Sequence, residues 1–177
     1  MGLRILIIIY LLTNSILFSQ DVIVPIKLAV TDFSIKKGYE DLSNAFSDRL
    51  EIELMRENKI RVISRSKIAI ILEETKLQLS GLTEESLIES GKLLGIEYLV
   101  TGSIAYREFE LMGTIIPKFT SIQSKLINVE TGEIVGFATV DDYHYASSIG
   151  YCAEKIAKQY LILLGCIAPN EDINAIK

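Results

Sequence analysis

The chain has 177 residues, 49% of them hydrophobic, and a formal net charge of −5. An acidic chain repels nucleic acid, and no basic stripe with interleaved aromatics offsets this, which argues against a nucleic-acid partner. Two cysteines and one histidine, with no CxxC or Cys/His spacing, give no reason to expect a metal or another cofactor.

The N-terminus reads as a targeting segment. Arg4 is the only charge before Asp21, and Ile5 to Leu12 is unbroken apolar, extended by Ile16 to Phe18. This is a positive n-region and a short h-region, and small Ser19 places the cleavage between Ser19 and Gln20. The rival reading, an uncleaved anchor, is disfavoured because the run falls short of the roughly 20 apolar residues that span a bilayer. No Cys precedes Cys152, so lipidation at the cleavage point is not expected. Removal of residues 1–19 leaves 158 residues (177 minus 19), and loss of Arg4 takes the net charge from −5 to −6. That is one ordinary domain, expected over residues 20–167, with a polar tail over 168–177 that frays.

Ile26 to Phe33 is a short apolar run that reads as a buried strand. Glu40 to Glu57 is helical, with Leu42, Phe46, Leu50 and Leu54 recurring at i, i+4 and Asn58 as the stop. Ile60 to Ile63 is a second strand. Ser64 or Ser66 can cap the helix that follows, whose apolar face is Ile68, Ile71, Leu72 and Leu79, ending at Ser80-Gly81. Thr83 caps a third helix, with Glu84 and Glu85 at the positive end of its dipole and Gly95 as its stop.

Tyr98 to Tyr106 is a strong strand, in which Gly102 suits close packing against a helix. Phe119 to Val129 and Ile134 to Asp141 pair as a hairpin around Glu130 to Glu133, where Gly132 supplies the positive φ. A last helix runs from about Ala146 to Leu164. The order is β-α-β-α-α-β-β-β-α. It predicts a single-domain α/β fold, a mixed sheet of about five strands with helices packed on it.

No catalytic constellation stands out. His144 sits at a strand–helix boundary without a placed nucleophile and reads as a boundary polar residue. Asp141-Asp142 and Glu73-Glu74 are neighbours in sequence, so their side chains point apart and form no acid/base dyad. Gly91 and Gly95 lack both the GxGxxG pattern and the Walker lysine, and they end a helix, where anions are disfavoured. Cys152 and Cys166 read as small buried apolar residues; fourteen helical residues would hold them about 21 Å apart, beyond disulfide reach. Arg65 opens a helix directly after a strand, and its fork suits an ion pair that fixes that corner. The prediction is a non-enzymatic chain with no catalytic, cofactor or metal residues.

Residues Arg61 to Leu82 and Gly91 to Ser103 carry a short apolar run, an Arg, a helix with Ile-Leu-Glu, then Leu-Gln-x-Ser-Gly and Gly-x-Leu-Leu-Gly-x-x-Tyr-x-x-x-Gly-Ser. With Leu28 to Phe33 and Leu126 to Val135, this order resembles the curli production assembly/transport family (CsgG-like) from about Lys27 to Val140. The resemblance implies an outer-membrane-associated periplasmic accessory of assembly or secretion that acts by protein–protein binding. Its expected partners are envelope proteins of a secretion or surface-fibre machine, with self-association through the sheet edge or a helix face. A second reading comes from related lipoproteins with a similar core: a regulatory module that docks on and activates a peptidoglycan synthase. Two departures from the curli channel matter. The lipidated Cys is missing, and Arg107 to Lys118 is too short for membrane-spanning hairpins, whose strands need about 9–11 residues each.

Overall fold

The computed structural model describes residues 24–74, 83–141 and 148–169. The expected leader with its Ser19/Gln20 cleavage, His144 and most of the C-terminal tail lie outside these residues. The elements are β1 (Ile26–Val30), α1 (Glu40–Met55), β2 (Ile60–Ile63), α2 (Arg65–Glu74), α3 (Glu84–Leu93), β3 (Tyr98–Leu111), β4 (Thr114–Asn128), β5 (Ile134–Asp141) and α4 (Ile149–Leu163). They form one mixed five-stranded sheet in the order β2-β1-β3-β4-β5, with helices packed on it, as predicted.

Parallel and antiparallel parts show different burial. β1 pairs in parallel with β2 and β3, and its Leu28, Ala29 and Val30 are all fully buried, because helices cover both faces there. β3, β4 and β5 pair antiparallel. Along β5, Ala138 and Val140 are buried while Phe137, Thr139 and Asp141 are exposed, so this end of the sheet has one wet face.

α1 and α4 cover the first face. Phe46, Leu50 and Leu54 from α1, with Ile156 and Tyr160 from α4, pack on Leu28, Val30, Val100, Leu126 and Ala138. The i, i+4 spacing in α1 puts its three large side chains on one stripe. On the second face, Ile68 of α2 and Leu87 and Ile88 of α3 pack on Ala29, Leu99 and Ile127. α3 begins as expected: Thr83 Oγ1 accepts from Ser86 N (3.3 Å) and Ser86 Oγ accepts from Thr83 N (3.2 Å). It ends at Gly95, with φ +63°.

The largest differences from the sequence reading lie at two places. β1 stops at Val30 rather than Phe33. The chain beyond it still follows β3, through Thr31 N to Val100 O and Ser34 N to Gly102 O, both 2.9 Å. Residues 107–118, read as a connection, are instead the two arms and turn of a hairpin that extends β3 and β4, paired from Tyr106↔Phe119 to Leu111↔Thr114. Met112 (φ 52°) and Gly113 (φ 78°) make the tight turn, both with the positive φ of a type I′ hairpin. β4 contains Pro117, a residue that sheets confine to edges, strand starts or bulges. Among the described residues β5 accompanies β4 as far as Ser121↔Asp141, and no described strand lies beside Pro117 on that side.

Candidate binding cleft

A cleft of about 830 Å³ opens where the chain leaves the carboxyl ends of β1 and β2. β1 has β2 on one side and β3 on the other, so the connections diverge there, which is the usual position for a crevice in such sheets. α2 and α3 cover only the near part of the second sheet face. Beyond them Thr101, Ser103, Gln123, Phe137 and Thr139 form an open floor.

Arg65, the first residue of α2, closes one end. Its guanidinium binds Asp32, which follows β1, and Asp48 on α1, and its Nε lies 3.4 Å from Glu51 Oε1. One side chain therefore ties the end of β1 to α1 and α2, the corner-fixing role expected from the sequence. Arg65 is 22% exposed and its two nearest carboxylates about 60%; of the cluster, Arg65 and Asp32 line the cleft, joined there by Glu40. Burial pushes the Glu51 carboxyl above the usual range, against the pull of Arg65.

At the other end Lys125 of β4 pairs with Glu84 in the first turn of α3. Glu84 also meets the positive end of that helix. The pair fastens α3 onto the open part of the sheet. Phe137, 69% exposed, stands beside Lys125 across the β4–β5 ladder.

The remaining candidates have structural explanations. Gly91 is buried, and a Cβ there would crowd Val129 at 3.1 and 3.3 Å, so the Gly91/Gly95 spacing reflects packing and a helix stop. Gly102 faces the Phe33 ring rather than a helix, which corrects the reading of its close packing. Cys152 and Cys166 are free and buried, and burial pushes the Cys152 thiol up to about 11. Glu73 and Asp141 are exposed. Among the described residues, no group of three His, Cys, Asp or Glu side chains is placed to hold a metal, and no helix is long and apolar enough to cross a membrane. The arrangement offers a polar floor, one exposed aromatic ring and a charged rim, which are means of binding.

Sequence reasoning reached Arg65 but not its partners. Asp48 and Glu51 stand at i, i+3 on the polar side of α1, a signal that identifies a helix surface but not what crosses to it. Phe137 was legible: it is the large apolar residue at an outward position of a strand whose Ala138 and Val140 turn inward.

A family model described as peptidoglycan-synthase activator LpoB matches residues 41–136, more than half of the chain, from the first turn of α1 into β5. This match overturns the curli assembly/transport resemblance and the secretion or surface-fibre role that came with it. The quoted motif residues explain the confusion. Leu99, Val100 and Leu126 are core positions, and Gly95 and Gly132 are turns, so they report a fold rather than a channel. Comparison with solved structures gives a leucine-to-methionine variant of the PelC dodecamer from Paraburkholderia phytofirmans (TM-score 0.52, 16% identity, covering 81% of this chain and 90% of that one). It also gives TolB from Acinetobacter baumannii (TM-score 0.50, 17% identity, covering 84% of this chain and 30% of that one). The LpoB C-terminal domain from Escherichia coli is similar at TM-score 0.48 and 19% identity, covering 74% of this chain and 93% of that one. The PelC and TolB likenesses are of fold alone. A comparison with curated proteins finds no match.

Proposed function

The chain belongs to the peptidoglycan-synthase activator LpoB family, and on that premise we propose that it is a regulatory module that docks on a peptidoglycan synthase and raises its activity. The match over residues 41–136 carries the reading. It runs from the first turn of α1 through β2, α2, α3, β3 and β4, and includes Arg65, Glu84, Gln123 and Lys125 of the cleft.

The module acts by binding rather than by chemistry of its own. An activator raises a synthase's rate only if it holds the active conformation more tightly than the resting one. The open, polar sheet face with one exposed aromatic ring suits a regulatory contact of that kind. The acidic chain favours a basic surface on its partner.

This reading places the protein in the periplasm beside the outer membrane, exported by residues 1–19 with cleavage between Ser19 and Gln20, and makes 20–167 the working domain. The test is glycan polymerisation by a purified peptidoglycan synthase of the same organism, with and without the protein. Several-fold stimulation together with a retained complex is the expected result. Neither stimulation nor complex formation across the synthases of that organism would sink the reading. Sedimentation of the same sample reads self-association.

A further inference from the structure

β5 is an edge strand, and among the described residues no strand pairs with its outer side. Natural sheets usually protect such edges with lysines, prolines, bulges or a covering element. β5 has one such device, at its start. The register shift beside Leu126/Ile127 makes Val135 an extra residue. From Gly136 to Asp141 the strand is regular and contains no Lys, Arg or Pro. Among the described residues, no strand takes up the backbone donors and acceptors on that side.

The side chains along this edge are distinctive. Ile134, Val135 and Phe137 are exposed at 44, 43 and 69%. Acidic residues flank them, Glu130 and Glu133 in the preceding turn and Asp141 at the far end, all exposed. We infer that the β5 edge accepts an extended segment of a partner protein, apolar or β-branched in the middle and basic at both ends, as a sixth strand.

Backbone pairing would supply affinity and alternate side chains specificity. An added strand lies beside Phe137 and Thr139, which also line the cleft, so its inward side chains extend the cleft wall and cover the exposed ring. Charge weighs against a second copy as occupant in the registers that align Phe137 with itself. Antiparallel self-pairing centred on Phe137 sets Glu133 against Asp141, and in-register parallel pairing sets Asp141 beside itself; like charges directly opposed are destabilising. Basic ends on a foreign strand meet the same carboxylates favourably.

The inference concerns the edge and does not require that the partner be a synthase. The probe is a synthetic peptide of alternating Val and Thr with paired Lys at each end, titrated into the full protein and followed by amide NMR. The expected result is slowed amide exchange and shift changes concentrated between Gly136 and Asp141. Binding is lost for the same peptide N-methylated at alternate residues, which cannot pair. The double variant Glu133→Lys/Asp141→Lys, altered only at exposed positions, loses the Lys-ended peptide and gains its Glu-ended counterpart. Changes located elsewhere, or equal binding of the N-methylated peptide, overturn the inference. So does a dimer held through β5. Synthase stimulation and binding of the Lys-ended peptide are also scored together on the wild-type protein. Stimulation without peptide binding rejects the edge and leaves the activator reading standing; peptide binding without stimulation does the reverse.

Discussion

Phe33 and Gly102 are shaped to each other. A Cβ on Gly102 would press into the Phe33 ring, 2.8 Å from Cδ1 and nearer still to Cε1, with the Gln123 carbonyl also in its way. Phe33 in turn packs edge-on against Phe46 of α1, ring centroids 4.8 Å apart. The missing side chain lets the strand continuing from β1 lie against β3 and seat its ring in the main core. Gly102→Ala is expected to destabilise the domain by about 1–3 kcal/mol, the usual cost of overpacking. Urea unfolding measures it. Because one obstacle is a ring and the other is backbone, adding Phe33→Leu should restore only part of the loss. Wild-type stability in Gly102→Ala would show that the contact is not tight.

Glu51 sets a pH dependence. Burial raises its folded pKa above the ordinary carboxyl value despite Arg65. A carboxyl raised in this way binds its proton better in the folded state than in the unfolded one. Its contribution is therefore fully present below the ordinary Glu value and is lost as pH rises through the folded value. Glu51→Gln removes the cost of the ionised form. The variant should gain stability over wild type at neutral pH, and the gain should shrink as pH falls towards about 4, the ordinary Glu range. Denaturant melts of both proteins across that window read it. A gain that grows on acidification would reverse the sign and remove burial as the dominant effect.

Arg65 should matter more than an exposed pair. It joins three carboxylates from two places in the chain, and its own side chain is 22% exposed. Arg65→Ala leaves Asp32, Asp48 and Glu51 facing one another, and a cost of about 1–3 kcal/mol is expected, between surface and buried pairs. Arg65→Lys should recover part of it, because a point charge cannot reach all three as the guanidinium fork does. Equal stability of Arg65→Ala and wild type at low salt would show the cluster to be ornamental.

Much of the architecture was legible because its signals are local. β2 and β5 fall where alternation and flanking turns put them, and Thr83 and Gly95 bound α3 as capping rules require. The rest depends on pairing across the chain. Residues 107–118 look like a loop until β3 and β4 are laid side by side and Met112-Gly113 becomes a turn. Arg65 announces an ion pair, yet that Asp32 and Asp48 complete it follows only once β1 and α1 converge on α2. The family was misjudged for a related reason: residues that build a shared core cannot by themselves say which branch of the fold a chain occupies.

The Tyr160 hydroxyl donates to Ser124 Oγ at 2.7 Å, and Ser124 Oγ donates to the Thr101 carbonyl at 3.3 Å, linking α4, β4 and β3 inside the first core. Tyr160 is fully buried, and burial pushes its hydroxyl far above the ordinary tyrosine value, so it stays a neutral donor. Tyr160→Phe keeps the ring and loses the bond, and should cost about 1 kcal/mol. Tyr160→Ala empties the site and should cost about 3–5 kcal/mol. Thermal or urea melts separate the two. Equal losses for both would mean that the hydrogen bond, rather than the ring, holds α4 to the sheet.

Cys152 and Cys166 provide a probe of the whole fold. Cys152 on α4 is fully buried, with its thiol pushed up to about 11, and Cys166, 5% exposed, is raised by burial as well. The thiolate is the reactive form, so both burial and proton affinity suppress alkylation. In the native protein at neutral pH neither should react with a water-soluble disulfide reagent on the timescale of a free thiol, and both should react at once in denaturant. Cys152 lies in the core held by α1 and α4, so its slow native labelling should track global unfolding, whereas Cys166 lies past the end of α4 and should report fraying of that end. Gly102→Ala should then speed labelling of Cys152 by the factor its measured destabilisation implies. Labelling of Cys152 at an unchanged rate would show that α4 opens independently of the sheet.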